Sequence, residues 1–268
     1  MRCVLLQCEP HWQDLPASRA ALAAQMDEAG DLRGALVITP EMAESGFSMH
    51  PEHACDGQSA SFAQAQAAAR GCFLLHGFVE RHAAGFRNVV ALLDPSGREQ
   101  LRYAKNHLFS PAGEPRAYVA GDSIALASVG GLRLSTFICY DLRFPELWRL
   151  AALERAELLT LSACWPSVRQ AHWRALAIAR AIENQAFVLA CNRVGQEPNA
   201  HYTGGSLIVA PDGEVLAEAG SVREVLSAEV DPDRVRTWRE RFPALRDLRR
   251  SRLGQVSAVS SGDSAGSR

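Results

Sequence analysis

Lysine is nearly missing from this chain of 268 residues: of its 28 basic residues, 27 are arginine and one is lysine, Lys105. A position where any positive charge would do is therefore filled by arginine. Lysine differs in its compact ammonium, whose pKa shifts readily on burial, so Lys105 is a candidate for chemistry that a guanidinium cannot perform. Net charge is small, −2 with the eight histidines neutral, which gives no global pull toward nucleic acid. No apolar run approaches the ~20 residues of a membrane span. The opening MRCVLLQCEPHWQD reaches polar and acidic residues too early for a signal peptide. Paired cysteine spacing is absent too. The seven cysteines are odd in number and scattered, which argues against a disulfide framework and for a reducing, cytoplasmic compartment. His50 and His53 lack the Cys or Glu neighbours that a zinc site wants, so no metal is expected.

Hydrophobic residues make up 47% of the chain, enough for one large core. Strand-like runs alternate with helix-like ones. Residues 2–7, 35–39, 72–80, 132–138, 157–164 and 186–191 read as strands, and FRNVVALLDPSG ends a further strand in a turn. Helices are expected over 17–28, 60–70 and 170–184, with another beginning near Pro145. SLIVAPDGEVLAEA carries a Pro-Asp-Gly turn between two runs and reads as a hairpin. Strands separated by helices indicate an α/β fold with a largely buried sheet. A single domain over 1–250 is expected, with a disordered polar tail over 251–268. Eight arginines fall between 234 and 252, interleaved with acidic residues. That mixture suits a solvated or subunit-contacting segment better than a nucleic-acid patch.

Three chemically distinct residues follow strand-like runs. Glu41 follows ALVIT and Pro40, Lys105 follows QLRYA, and Cys139 follows LRLSTFI. Sites in open α/β sheets gather at the carboxyl ends of strands, so the three side chains converge if their strands are neighbours. Together they supply a nucleophile, a proton shuttle and an oxyanion donor for acyl transfer. A cation beside Cys139 would favour its thiolate, and the Tyr140 backbone N–H would be a second oxyanion donor.

The motifs Pro40-Glu-Met42, Tyr103-Ala-Lys-Asn-His-Leu-Phe109 and Ile138-Cys-Tyr-Asp-Leu-Arg-Phe-Pro-Glu146 resemble those of the nitrilase, or carbon–nitrogen hydrolase, superfamily, over about residues 1–245. The resemblance implies a four-layer αββα sandwich and a Glu–Lys–Cys triad at Glu41, Lys105 and Cys139. It implies a supporting glutamate at Glu114, no cofactor, no membrane or nucleic-acid partner, and a homodimer. The segment ACWPSVRQAHWRALAIARAIENQAFVLACNRVG is similar to the bacterial omega-amidase branch. That implies hydrolysis of the terminal amide of small 2-oxo acids such as 2-oxoglutaramate and 2-oxosuccinamate.

For such a substrate Trp165 would line the pocket, and Arg169 or Arg193 would bind the carboxylate through bidentate pairing. Arg143 is expected in a structural ion pair, with Asp141 bracing the same turn. Deaminated glutathione, other amides or nitriles are the alternative substrates. A Cys–His hydrolase using His107 would leave Lys105 and Glu41 unused, and a non-catalytic binding module would not require all three residue types.

Overall fold

The computed structural model describes residues 1–249, 251 and 257–260. In order, the chain forms β1 (Arg2–Gln7), α1 (Leu15–Glu28), β2 (Leu36–Ile38), α2 (Pro51–Ala54), α3 (Ser59–Arg70), β3 (Phe73–His82), β4 (Gly85–Leu93), β5 (Glu99–Ala104), α4 (Glu114–Ala117), β6 (Ser123–Val129), β7 (Leu132–Ile138), α5 (Pro145–Leu153) and β8 (Leu158–Ala163). There follow α6 (Gln170–Asn184), β9 (Phe187–Asn192), β10 (Val194–Glu197), β11 (Ala200–Thr203), β12 (Leu207–Val209), β13 (Val215–Glu218), β14 (Glu224–Glu229), α7 (Pro232–Arg241) and β15 (Ser257–Ser260).

The first sheet has the order β14-β1-β2-β3-β4-β5 and the second β13-β12-β9-β8-β7-β6-β15. Each has a parallel centre, β1-β2-β3 in one and β7-β8-β9 in the other, joined through helices. Helices α1 and α3 cover the outer face of the first sheet, α5 and α6 that of the second, and the inner faces meet. This is the four-layer αββα sandwich. Both faces of the central strands are covered, so their sequences are continuous apolar runs rather than alternating ones. In β1, for example, Cys3 and Leu5 enter the core between the sheets while Val4 and Leu6 pack under the first helical layer.

Local signals set the helix limits. Asp14 caps α1 by accepting the Ala17 N–H at 3.0 Å, and Pro16 occupies its first turn, so the helix opens two residues before the start expected from periodicity. Gly71 closes α3 at φ 57°, a conformation that suits glycine. The 206–219 hairpin is present as β12 and β13. The strands β6, β10, β11 and β14 and the helices α2, α4 and α7 escaped the reading; apart from β6 and α7 each is six residues or fewer.

The arginines of α7 are stitched to the body. Arg234 pairs with Asp212 and Glu214, Arg236 with Glu157, and Arg239 donates to the carbonyls of Gln185 and Ala156. Much of the expected tail over 251–268 lies outside the described residues. Within it, 257–260 depart from the expected disorder and form β15, parallel to β6 with Ser257 opposite Ser123. An open sheet edge offers unpaired backbone groups to such a run.

Candidate active site

Glu41 sits in a turn that the first sheet holds rigidly. The Ala43 N–H donates to the Gly77 carbonyl at 2.9 Å, and the Gly77 N–H to Thr39 Oγ1 at 3.0 Å. A Cβ on Gly77 would stand 2.2 Å from the Pro40 carbonyl oxygen, so only glycine lets β3 approach this turn. Below the turn, Glu44 is buried against His76 Nε2 at 2.7 Å and Arg19 at 2.6 Å. Lys105 follows β5, and its N–H donates to the Asn88 carbonyl at 2.9 Å. Glu114 is the first residue of α4, and its carboxylate accepts the Phe109 N–H at 2.5 Å.

Cys139 and Cys164 come from the other sheet, at the ends of β7 and β8. Cys139 has φ 43°, and Met42, beside Glu41, has φ 45°. A left-handed conformation at a non-glycine residue costs on the order of 1–2 kcal/mol, and such strain tends to gather at functional sites. Asp141 secures the Cys139 turn. It accepts the Ile138 N–H at 3.1 Å, the Tyr103 hydroxyl at 2.7 Å and the His107 N–H at 2.8 Å. The bracing expected of Asp141 is thus seen in its contacts. His107 Nδ1 also lies 2.9 Å from Asp141, and its ring stacks on Phe144 at 3.6 Å, which commits it to the turn rather than to Cys139.

The predicted residues converge. Lys105 Nζ lies 2.7 Å from Glu41 Oε1 and 2.8 and 3.1 Å from the two oxygens of Glu114. All three side chains are fully buried. Glu41 Oε2 accepts the Cys164 N–H at 2.8 Å, a bond that joins the two sheets. Burial pulls the ammonium of Lys105 toward neutrality, but Glu114 and Glu41 outweigh it, so its pKa stands well above the usual lysine value. Burial, with the charge of Glu41 added to the partial relief from Lys105, raises Glu114 above the usual carboxylate range.

The thiol stands between opposing influences. Burial first, then the charge of Glu41, lift Cys139 well above the ordinary 9.0, and Lys105 offsets this only in part. Two carboxylates already claim the ammonium. Burial and the charge of Glu41 therefore favour the neutral thiol over the thiolate at Cys139. A proton acceptor, rather than a standing thiolate, is what this arrangement supplies.

Cys139 opens onto a cavity of about 600 Å³. Its wall includes Tyr140, Trp165, Arg169 and also Arg143, Glu197 and Tyr202. The Arg143 guanidinium lies over the Trp165 ring at 4.7 Å, and that of Arg169 over the Phe109 ring at 5.3 Å. Neither has a carboxylate partner among the described residues. Arg143 therefore departs from its expected ion pair. Arg193 departs from its expected place as well. It is fully buried behind the wall, where Glu197 takes its charge, because a buried guanidinium must be paired. Trp165 is fixed on both sides, its N–H donating to Asn192 Oδ1 at 2.8 Å and its Nε1 to the Arg169 carbonyl at 2.9 Å.

The sequence reading missed Asn88 and the Cys164 N–H. Asn88 could have been found as a polar residue inside the apolar run of FRNVVALL, since buried polar groups demand partners. The Cys164 N–H could not, because any residue supplies a backbone donor.

Comparison with known proteins places the chain among carbon–nitrogen hydrolases. The sequence pattern of the carbon–nitrogen hydrolase family matches residues 4–240. The chain is 36% identical over 257 residues to omega-amidase YafV of Escherichia coli K12, covering 94% of this chain and 98% of that one. It is 36% identical to the 2-oxoglutaramate amidase of Bacillus subtilis, covering 80% and 85%. Among solved structures, XC1258 from Xanthomonas campestris, a CN-hydrolase superfamily protein with an arsenic adduct in its active site, superposes with a TM-score of 0.86. That match has 32% identity and covers 93% of this chain and 97% of that one. An amidase from Nesterenkonia sp. AN1, seen with acrylamide added at its active-site cysteine, superposes with a TM-score of 0.76 at 26% identity, covering 91% and 98%.

Proposed function

The chain belongs to the carbon–nitrogen hydrolase family, and within it we propose an omega-amidase-like enzyme that cleaves the terminal amide of small 2-oxo acids to acid and ammonia. The observation that carries the reading is the buried contact of Lys105 with Glu41 and Glu114 beside Cys139, at a cavity wall. The relatives named omega-amidase and 2-oxoglutaramate amidase support the substrate class.

In this mechanism Cys139 Sγ attacks the amide carbon as Glu41 takes the thiol proton. The Lys105 ammonium and the Tyr140 N–H face the developing oxyanion, where one such donor is typically worth about 3 kcal/mol. Glu41 passes the proton to the departing nitrogen, ammonia leaves, and a thioester remains on Cys139. Glu41 then draws a proton from water, which attacks the thioester, and returns that proton to the departing Cys139 sulfur as the acid is freed. Glu114 keeps Lys105 charged and in place. Arg143 and Arg169 bind the carboxylate of the substrate, with Trp165 flanking its chain. Arg143 replaces Arg193 in this role, because it lines the cavity and lacks a carboxylate partner. The family resemblance adds a homodimer and a cytoplasmic location to the proposal. Among the described residues no helix is long and apolar enough to cross a membrane.

A cavity of about 600 Å³ has room beyond a five-carbon amide, which keeps deaminated glutathione as the second reading. Release of the leaving amine decides between them: ammonia is measured on 2-oxoglutaramate, 2-oxosuccinamate, glutamine and simple nitriles, and cysteinylglycine, the amine side of its amide, on deaminated glutathione. Release from the first two alone is expected. Activity on deaminated glutathione alone would replace the substrate and leave the chemistry, and release from nitriles alone would reject the amidase reading.

A further inference from the structure

Asn88 stands at a fully covered position of β4, at the head of the apolar run 89–93 that fills the core, yet it is polar. Its Nδ2 donates to Glu41 Oε1 at 2.7 Å and to Glu114 Oε1 at 3.0 Å. Its carbonyl accepts the Lys105 N–H. One residue thus touches both carboxylates and the backbone of the amine. Its own Oδ1 has no partner among the described residues. The opposite amide orientation would press that oxygen against two carboxylate oxygens, so the nitrogen must face them. The fold leaves one buried acceptor unmet in order to aim two neutral donors at the two acids.

The donors also limit where Glu41 can take a proton. A carboxylate has about four lone-pair directions. Asn88, Lys105 and the Cys164 N–H occupy three. One remains for the thiol, and later for ammonia or water. Asn88 does this without adding charge. A second cation in its place would neutralise the cluster and weaken the base, while an acid would add to the repulsion between Glu41 and Glu114.

We infer that Asn88 is a positioning residue that aims Glu41 at Cys139, so that the lone-pair direction its donors leave open meets the thiol proton. The inference rests on Glu41 as the base of the proposed reaction. The charged and titratable groups facing Glu41 are Lys105 at the end of β5, Glu114 on α4, Cys139 after β7, Cys164 after β8, and more distantly Tyr118 and Tyr202. None lies on β4, so Asn88 is the contribution of that strand.

The test follows Cys139 alkylation by iodoacetamide, read by mass spectrometry across an acid-to-neutral pH series, in wild type, Asn88→Leu, Asn88→Asp and Glu41→Gln. Leucine is close in size and removes both donors. Fewer donors on the Glu41 carboxylate should move the acid limb of the alkylation profile to higher pH. The rate should fall by about tenfold or more, a part of what a positioned base supplies. Asn88→Asp keeps the shape and can donate only when protonated, so its rate should decline toward higher pH, where wild type is flat. Glu41→Gln should abolish the acid limb. An acid limb unmoved in both Asn88 variants would overturn the inference, even if their rates fell, since a packing defect lowers rate without moving the limb. Alkylation needs no substrate. A wild type that alkylates through Glu41 yet releases no ammonia from 2-oxoglutaramate would count against the proposed substrate and not against Asn88.

Discussion

Nζ of Lys105 lies 2.7 Å from Oε1 of Glu41, and neither side chain reaches solvent. Burying an ion costs several kcal/mol even after the surroundings relax. Here one ammonium answers to two carboxylates, since Glu114 is as close and as buried. The cluster carries an excess negative charge where water cannot screen it. Its effect on the neighbouring sulfur is the basis of the predictions below.

Removing the amine should damage folding as well as activity. Lys105→Met leaves two facing carboxylates without their counter-ion and should destabilise by about 3–5 kcal/mol, seen as a lowered melting temperature. Lys105→Arg keeps the charge, but a planar fork cannot reproduce three short contacts from one nitrogen. It should fold and yet lose activity by about a hundredfold or more, the scale of one oxyanion donor. Wild-type activity in Lys105→Arg would remove the special role of this lysine.

Cys139 should rest as a thiol. Its pKa is raised, so the neutral form persists through neutral pH and thiolate appears only above the ordinary 9.0. The ultraviolet thiolate band of wild type minus Cys139→Ala should be flat at neutral pH and rise only in strong alkali. Cys139→Ala should also abolish ammonia release and thioester formation by mass spectrometry. A thiolate band at neutral pH would show that Lys105 dominates after all.

Arg143 and Arg169 should act on substrate charge. Arg143→Ala and Arg169→Ala should each cost about 1.5–3 kcal/mol of binding toward a 2-oxo acid amide, the usual value of a hydrogen bond to a charged group. The loss should fall on KM rather than kcat. An uncharged amide of the same length should respond little. Equal losses on both substrates would assign these arginines to packing on Trp165 and Phe109.

Acid stability should depend on Glu44. Burial alone would raise its pKa, but hydrogen bonds and charge from His76 and Arg19 outweigh this and hold it below the usual 4.5. A depressed folded pKa contributes stability above the unfolded value, and that stability is lost as pH falls through the folded one. Glu44→Gln should therefore be less stable than wild type at neutral pH, by about 3 kcal/mol for a broken buried pair. The gap should narrow below pH 4.5, where wild type loses the same contribution. Denaturant midpoints across that range check the sign.

The strand-and-helix order and the three residues of the cluster were legible because each rests on a local signal. Apolar runs mark β2 and β7, and the lone lysine marks itself. What stayed hidden depends on partners far along the chain. Arg193 and Arg169 look alike in sequence, and only the β10–β11 hairpin, with Glu197 reaching back, decides that one is sealed in while the other faces the cavity. The net direction of the thiol shift was hidden for the same reason. A lysine beside a cysteine suggests thiolate until the two carboxylates that already hold it are counted.

Glu41, Asn88 and Lys105 hang from one sheet, Cys139 and Cys164 from the other, and the Cys164 N–H bond to Glu41 crosses the gap. The distance from base to sulfur is therefore the distance between two slabs. A partly folded chain with only one slab formed has half of the machinery and no chemistry. A void opened between the slabs, by trimming Leu5 or Leu36 for instance, should slow turnover before it unfolds the protein, which makes the rate a gauge of how closely the halves are pressed together.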